Sequence, residues 1–189
     1  VARYISNRSF TDVKKYQDNL MASFKEDFVK YAKAAEIDLL KMVWEKIPFQ
    51  IGSRINYSKL CGANAKSKDV AKTFDILHDA MLAERILPTT ANKCPLIKKP
   101  KAAPKVLFLD IGLCAFTLNL TRDQVRDELI SPVFNGALAE EFVGQELLAL
   151  NFHSRNTFYF WIREEKGTSS ELDYLFQMGN KIIPLEVKS

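Results

Sequence analysis

"ELDYLFQMGNKIIPLEVK", residues 171–188, decides how the second half of this chain is read. Two runs of strand-forming residues flank Gly179-Asn180, the signature of a tight hairpin. With a two-residue loop, Met178 faces Lys181, Asp173 faces Glu186 and Glu171 faces Lys188. Side chains alternate along a strand. Glu171, Asp173, Glu186 and Lys188 are therefore expected on one face, with Leu172, Tyr174, Phe176, Ile183, Leu185 and Val187 on the other. Asp173 and Glu186 would occupy a non-hydrogen-bonded pair, where Cα atoms approach to about 4.5 Å. Pro184 faces Leu175 at another such position, so its missing N–H costs no bond within the hairpin.

Two opposed carboxylates repel each other. A shared proton, a nearby lysine or a divalent cation would offset this. Oxygen ligands from two carboxylates plus waters suit Mg2+ or Mn2+. A metal held there would polarise a phosphoryl oxygen and acidify a bound water. Lys188 is placed to orient that water or to steady developing negative charge. On spacing alone the plainer alternative is favoured: routine surface charges, with Glu171 and Lys188 a weak surface pair.

The rest of the chain sets the context. Its 189 residues suffice for one large domain or two small ones. Hydrophobic content of 47% and charged content of 26% suit an ordinary globular protein. No apolar run reaches the length of a membrane span, and the N-terminus lacks the apolar core of a signal peptide. A missing initiator Met and an end straight out of a strand-like run suggest a fragment. Cys61, Cys94 and Cys114 have no metal-site spacing, so reduced thiols in a cytoplasm are expected. The balance of 27 basic and 23 acidic residues permits a nucleic-acid partner without requiring one.

Residues 10–47 read as helical, with Thr11 or Asp12 as the first cap and Pro48 closing the second helix. A short helix near Ser58–Cys61 leads through a turn at Gly62-Ala63-Asn64 into a longer helix capped by Ser67. Val70, Phe74, Leu77 and Met81 form its core stripe. Helix, helix, turn, helix and the strand "RILPTT" make a winged helix-turn-helix pattern. Lys66, Lys68 and Lys72 flank the start of the third helix, where a recognition helix meets DNA. The stretch "PTTANKCPLIKKPKAAPK" reads as a wing tip and a stiff basic linker, whose Lys93, Lys98, Lys99, Lys101 and Lys105 suit salt-sensitive backbone contacts. The strand "KVLFLD" follows, then a helix with Leu138, Phe142, Leu147 and Leu150 as its apolar face, and three more strands. His78 and His153 have no ligand spacing; His153 suits a helix C-terminal cap. Trp44 and Trp161 are expected in the core, and Asp110 as a turn or cap residue.

Four stretches occur in order: "FLDIGL" (108–113), "GALAEEFVGQEL" (136–147), "FYFWIREEKGTSSELDYLF" (158–176) and "IIPLEVKS" (182–189). From about residue 40 onward the chain resembles the C-terminal region of bacterial and archaeal AAA-type ATPases, the domain of unknown function numbered 4143. The resemblance implies a winged helix followed by a region similar to the PD-(D/E)xK restriction-endonuclease fold. Carried over, the helix acid falls on Glu140, the central acid on Asp173, and the ExK pair on Glu186 and Lys188. Glu141 stands where the family often has Asn. The implied metal ligands are Asp173 and Glu186, with Mg2+ or Mn2+ as the ion.

The resemblance thus implies an α+β or α/β chain. Residues 1–35 would be a helical segment from the lid of an absent ATPase domain. Residues 36–92 would form the winged helix, 93–105 the linker, and 106–189 a nuclease-like mixed-sheet domain, C-terminally truncated. ATP would bind only in the absent domain, since none of the seven glycines lies in a GxxxxGK[ST] loop. Expected partners are DNA, the upstream ATPase domain and, through an unpaired sheet edge, a second copy; no membrane is expected. The expected function is DNA binding with a metal-dependent, nuclease-like site. The alternative is a non-catalytic DNA- or protein-docking module of the ATPase.

Overall fold

The computed structural model of the chain describes residues 9–61, 65–99, 102–121, 123–124, 130–151, 158–165 and 168–188. The expected turn at Gly62-Ala63-Asn64, the linker residue Lys101 and His153 lie outside the described residues.

Helix α1 (Phe10–Asp27) is capped by Ser9, not by Thr11 or Asp12: the Asp12 N–H donates to Ser9 Oγ at 3.2 Å. After a 3-10 turn, α2 (Ala34–Lys46) buries Leu40, Val43 and Trp44. Trp44 is the hub of the helical core. Its ring meets Phe24 and Phe28 edge-on at 6.0 and 6.3 Å and lies 4.3 Å from the Phe108 ring. Helices α3 (Tyr57–Cys61) and α4 (Ser67–Asp79) complete this layer. Val70, Phe74 and Leu77 are buried along α4, as the helical spacing predicts. Met81 departs from that stripe: it sits past the helix end at φ 57°, with 71% exposure. Ser67 is already inside α4, and Lys66 stands at the cap position with no capping hydrogen bond from its side chain.

Five strands follow in the order β2-β1-β3-β4-β5. Strand β1 (Ala83–Thr89) changes partner along its length. Ala83–Ile86 pair antiparallel with β2 (Lys105–Phe108), and Leu87–Thr89 pair parallel with β3 (Phe158–Glu165). The sheet therefore runs across both halves of the chain. The segment expected as a wing tip and stiff linker is hydrogen-bonded to its surroundings. Lys99 N–H donates to Pro88 O at 2.7 Å, Thr89 Oγ1 to Ile97 O at 2.7 Å, and Ile55 N–H to Pro104 O at 2.8 Å. Lys105 is the first residue of β2 and is 2% exposed, so it is not a linker lysine open to a phosphate backbone.

Strands β4 (Thr168–Met178) and β5 (Lys181–Leu185) form the hairpin with the expected register, from Met178 opposite Lys181 to Tyr174 opposite Leu185. The strict face alternation does not hold. Between the pairs Trp161–Leu172 and Tyr159–Leu175, β4 carries two residues, Asp173 and Tyr174, opposite the single Phe160. This β-bulge changes the phase of the strand. Glu171, opposite buried Ile162, shares the sheet face of buried Tyr174 instead of lying opposite it.

Between "FLD" and the long helix lies α5 (Ile111–Thr117), capped by Asp110, whose Oδ1 accepts from Leu113 N–H at 2.9 Å. Helix α6 (Pro132–Asn151) packs on the sheet. Its apolar residues do not all face inward. Leu147 is buried, but Phe142 and Leu150 are exposed, and Glu140 and Glu141 point inward. Gly144 lets α6 approach closely: a Cβ there would lie 2.5 Å from Tyr174 Oη and 2.6 Å from a Leu107 methyl. Both neighbours are buried and have little room to retreat. Gly144→Ala gains about 1 kcal/mol of helix propensity but overpacks this contact at about 1–3 kcal/mol. The expected net result is a melting temperature lower by roughly 2–6 °C in a thermal unfolding experiment.

Candidate functional site

The sheet face under α6 gathers four charged side chains from three elements. Period-2 alternation puts Lys105 and Leu107 of β2 on that face. Lys105 Nζ lies 2.7 Å from Glu140 Oε1 of α6, 2.7 Å from Glu171 Oε1 of β4 and 3.5 Å from Asp173 Oδ1 of β4. A nearby lysine, one of the three ways to relieve crowded carboxylates, is present here. The Phe160 ring lies 5.4 Å from the same ammonium and 5.7 Å from the Arg54 guanidinium.

The acids are further occupied. Asp173 Oδ2 accepts from the Val187 N–H at 2.9 Å. Glu171 Oε2 accepts from Arg54 Nε at 3.1 Å, so Glu171 pairs with Arg54 and Lys105 and not with Lys188. Arg54 also reaches Glu164 at 2.5 Å, and Lys99 meets the same Glu164 at 2.5 Å. The outcome is a chain of ion pairs running from the loop before α3 to α6.

Glu140 and Asp173 are thus brought together at Lys105, while Glu186 and Lys188 pair with each other, with the Lys188 ammonium feeling the charge of Asp173. Strand β5 ends at Leu185. Glu186 Oε1 then bonds Lys188 Nζ at 2.7 Å, with side chains 42% and 81% exposed. Lys66, Lys68 and Lys72 are exposed near the start of α4, and Lys72 stands 4.0 Å from Glu36. His78 pairs with Glu84 at 3.0 Å; Cys114 is buried and free, and Cys94 is exposed and free. Sequence reading missed Lys105 and Arg54 as site residues. The available signal was the alternation of Lys105 with Leu107 at the start of an otherwise apolar strand.

Oxygen-rich residues are present in kind for a hard divalent ion, but their arrangement does not fit one. An ammonium stands among the acids, Asp173 and Glu171 each have their second oxygen engaged, and Glu186 is turned outward. Among the described residues no group of three or more His, Cys, Asp or Glu side chains could hold a metal ion.

Protonation follows the excess of acid over base. Burial opposes the charge on Lys105, but Glu140 and Glu171 outweigh it and raise the pKa above the ordinary lysine value. Burial raises Glu140, with Asp173 and Glu171 adding to the effect and Lys105 opposing it. Glu141, the next residue along the helix, faces β2 instead. Its Oε1 accepts from the Phe108 N–H at 2.8 Å and Gln145 Nε2 at 2.7 Å, while Oε2 has no hydrogen-bond partner among the described residues. Burial pushes its carboxyl up to about 8.

The folded protein therefore holds the Glu141 proton more tightly than the unfolded chain, where glutamate titrates near about 4.3. The stability this contributes is complete below that value and is lost as pH rises through about 8. Glu140, also raised, adds a loss of the same sign. Replacing Glu141 by Gln removes the larger titration. In urea unfolding across pH 5 to 8, the variant is expected to gain on the wild type by roughly 3 to 4 kcal/mol, with a residual slope from Glu140.

The family described as Domain of unknown function (DUF8612) matches residues 1–124, and that described as Domain of unknown function (DUF4143) matches residues 135–189. No curated protein and no solved structure matches the chain. Among the described residues no helix is long and apolar enough to cross a membrane. The first match spans helices α1 to α5 and strands β1 and β2; the second takes most of α6 and strands β3 to β5. The chain belongs to the DUF8612 family and ends in a DUF4143 segment that supplies every acid of the Lys105 cluster.

Proposed function

We propose that this chain is a DNA-docking module from the C-terminal portion of an AAA-type ATPase, acting in the cytoplasm through contacts and not through cleavage. Helices α2, α3 and α4 with the β1–β2 pair serve as its winged helix, and α4 as the helix that meets DNA. The observation that carries this reading is the exposure of Lys66, Lys68 and Lys72 around the first turns of α4, while Val70, Phe74 and Leu77 hold its other side in the core. Lysines at a helix N-terminus add their charge to backbone N–H groups that favour phosphate. Their contacts would be sequence-independent and sensitive to salt.

A second reading, Mg2+- or Mn2+-dependent phosphodiester hydrolysis, is favoured by Glu140 and Asp173, which approach each other across Lys105. It requires the Lys105 ammonium to leave and Glu186 to turn inward.

Gel shifts over a salt series, paired with plasmid incubation in Mg2+ or Mn2+, separate the two. The docking reading expects wild type to bind, and Lys66→Glu/Lys68→Glu/Lys72→Glu to lose at least about tenfold in affinity, with a salt slope reduced by about 1 per lysine. It expects no nicking. Absence of binding sinks DNA docking; nicking that Asp173→Ala abolishes establishes the hydrolytic reading in its place.

A further inference from the structure

The ion pairs of the site are sorted by segment. The cations Arg54, Lys99 and Lys105 all come from residues 1–124, and the anions Glu140, Glu164, Glu171 and Asp173 all come from residues 135–189. The whole sequence has the same bias. Residues 1–124 carry 21 basic and 13 acidic side chains, whereas 135–189 carry 5 basic and 8 acidic. We infer that Lys105 is a built-in counter-cation: its ammonium takes the place among Glu140, Glu171 and Asp173 that a divalent ion would need, and thereby fastens the DUF8612 segment to the DUF4143 segment. The role is independent of whether α4 meets DNA.

The donor geometry supports it. An ammonium has three N–H donors, and Lys105 has three carboxylates in reach. A lysine buried this deeply is tolerated only when paired. The converse holds for the acids. Without Lys105, Glu140 would be left largely buried beside two further carboxylates, having lost the cation that stands 2.7 Å from its Oε1. Removing one partner of a buried pair is far costlier than never having had it. The Phe160 ring beneath both Arg54 and Lys105 adds a cation-favouring surface.

The test uses the full chain. Lys105→Met keeps the unbranched apolar stem of the side chain and removes the ammonium. Its melting temperature is expected to fall by on the order of 10 °C, given what a broken buried pair costs in a protein of this size. Adding Glu140→Gln removes an uncompensated charge, so the double variant is expected to melt above Lys105→Met. Should Lys105→Met fail to fold, wild type alone still decides the matter through Mn2+ titration by electron paramagnetic resonance. One equivalent of Mn2+ is expected to keep its free-ion signal. Uptake of Mn2+ by wild type at one equivalent, a Lys105→Met that melts with wild type, or a double variant no more stable than the single one each overturns the assignment.

Discussion

A single ammonium buried between two packed layers governs this structure. Lys105 enters the space under α6 from β2, and the carboxylates that receive it come from α6 and β4. Lys105 and Glu140 could not lie there alone, because an unpaired charge in such surroundings loses its hydration without replacement. The packing of α6 on the sheet, the position of β2 beside β1 and the placement of Asp173 are therefore mutually dependent. The apolar contacts around Phe160, Tyr174 and Leu107 close over the cluster and fix its geometry.

Much of the fold was legible in the sequence where the determining interactions are local. Gly179-Asn180 sets the register of β4 against β5 through turn chemistry alone, and the structure has that register. The Val70–Phe74–Leu77 stripe follows from helical spacing in the same way. The errors fall where the deciding partner is distant. The bulge at Asp173–Tyr174 arises in pairing with Phe160 on another strand, and nothing within β4 announces it. Lys105 closes a lysine- and proline-rich run, and only the acids 35 to 68 positions away turn it inward. Phe142 and Leu150 of α6 fall outside its inward face, which carries Glu140, Glu141 and Gly144 beside Leu147.

The candidate site was legible in part for a similar reason. Glu140 and Asp173 meet as the carried-over pattern pairs them, whereas Glu186 and Lys188 lie beyond the end of β5 and bond to each other outside. What differs is the identity of the positive charge. A lysine delivered by the first segment neutralises acids from the second, and this cation is covalently tethered to the chain. A metal ion would instead be exchangeable and would bring its own water. The cluster as it stands is suited to holding two parts of a protein in register.

Gly144 has a reach beyond its own contact. Its missing side chain sets how near α6 sits to the sheet, and Glu140 lies one helical turn earlier on the same helix, with its backbone carbonyl bonded to Tyr174 Oη at 2.8 Å. Lifting the helix at position 144 would draw the Glu140 carboxylate away from the ammonium and admit solvent between them. A purely steric quantity, the gap between helix and strands, thus acts as a tuning screw for the strength of an electrostatic bond.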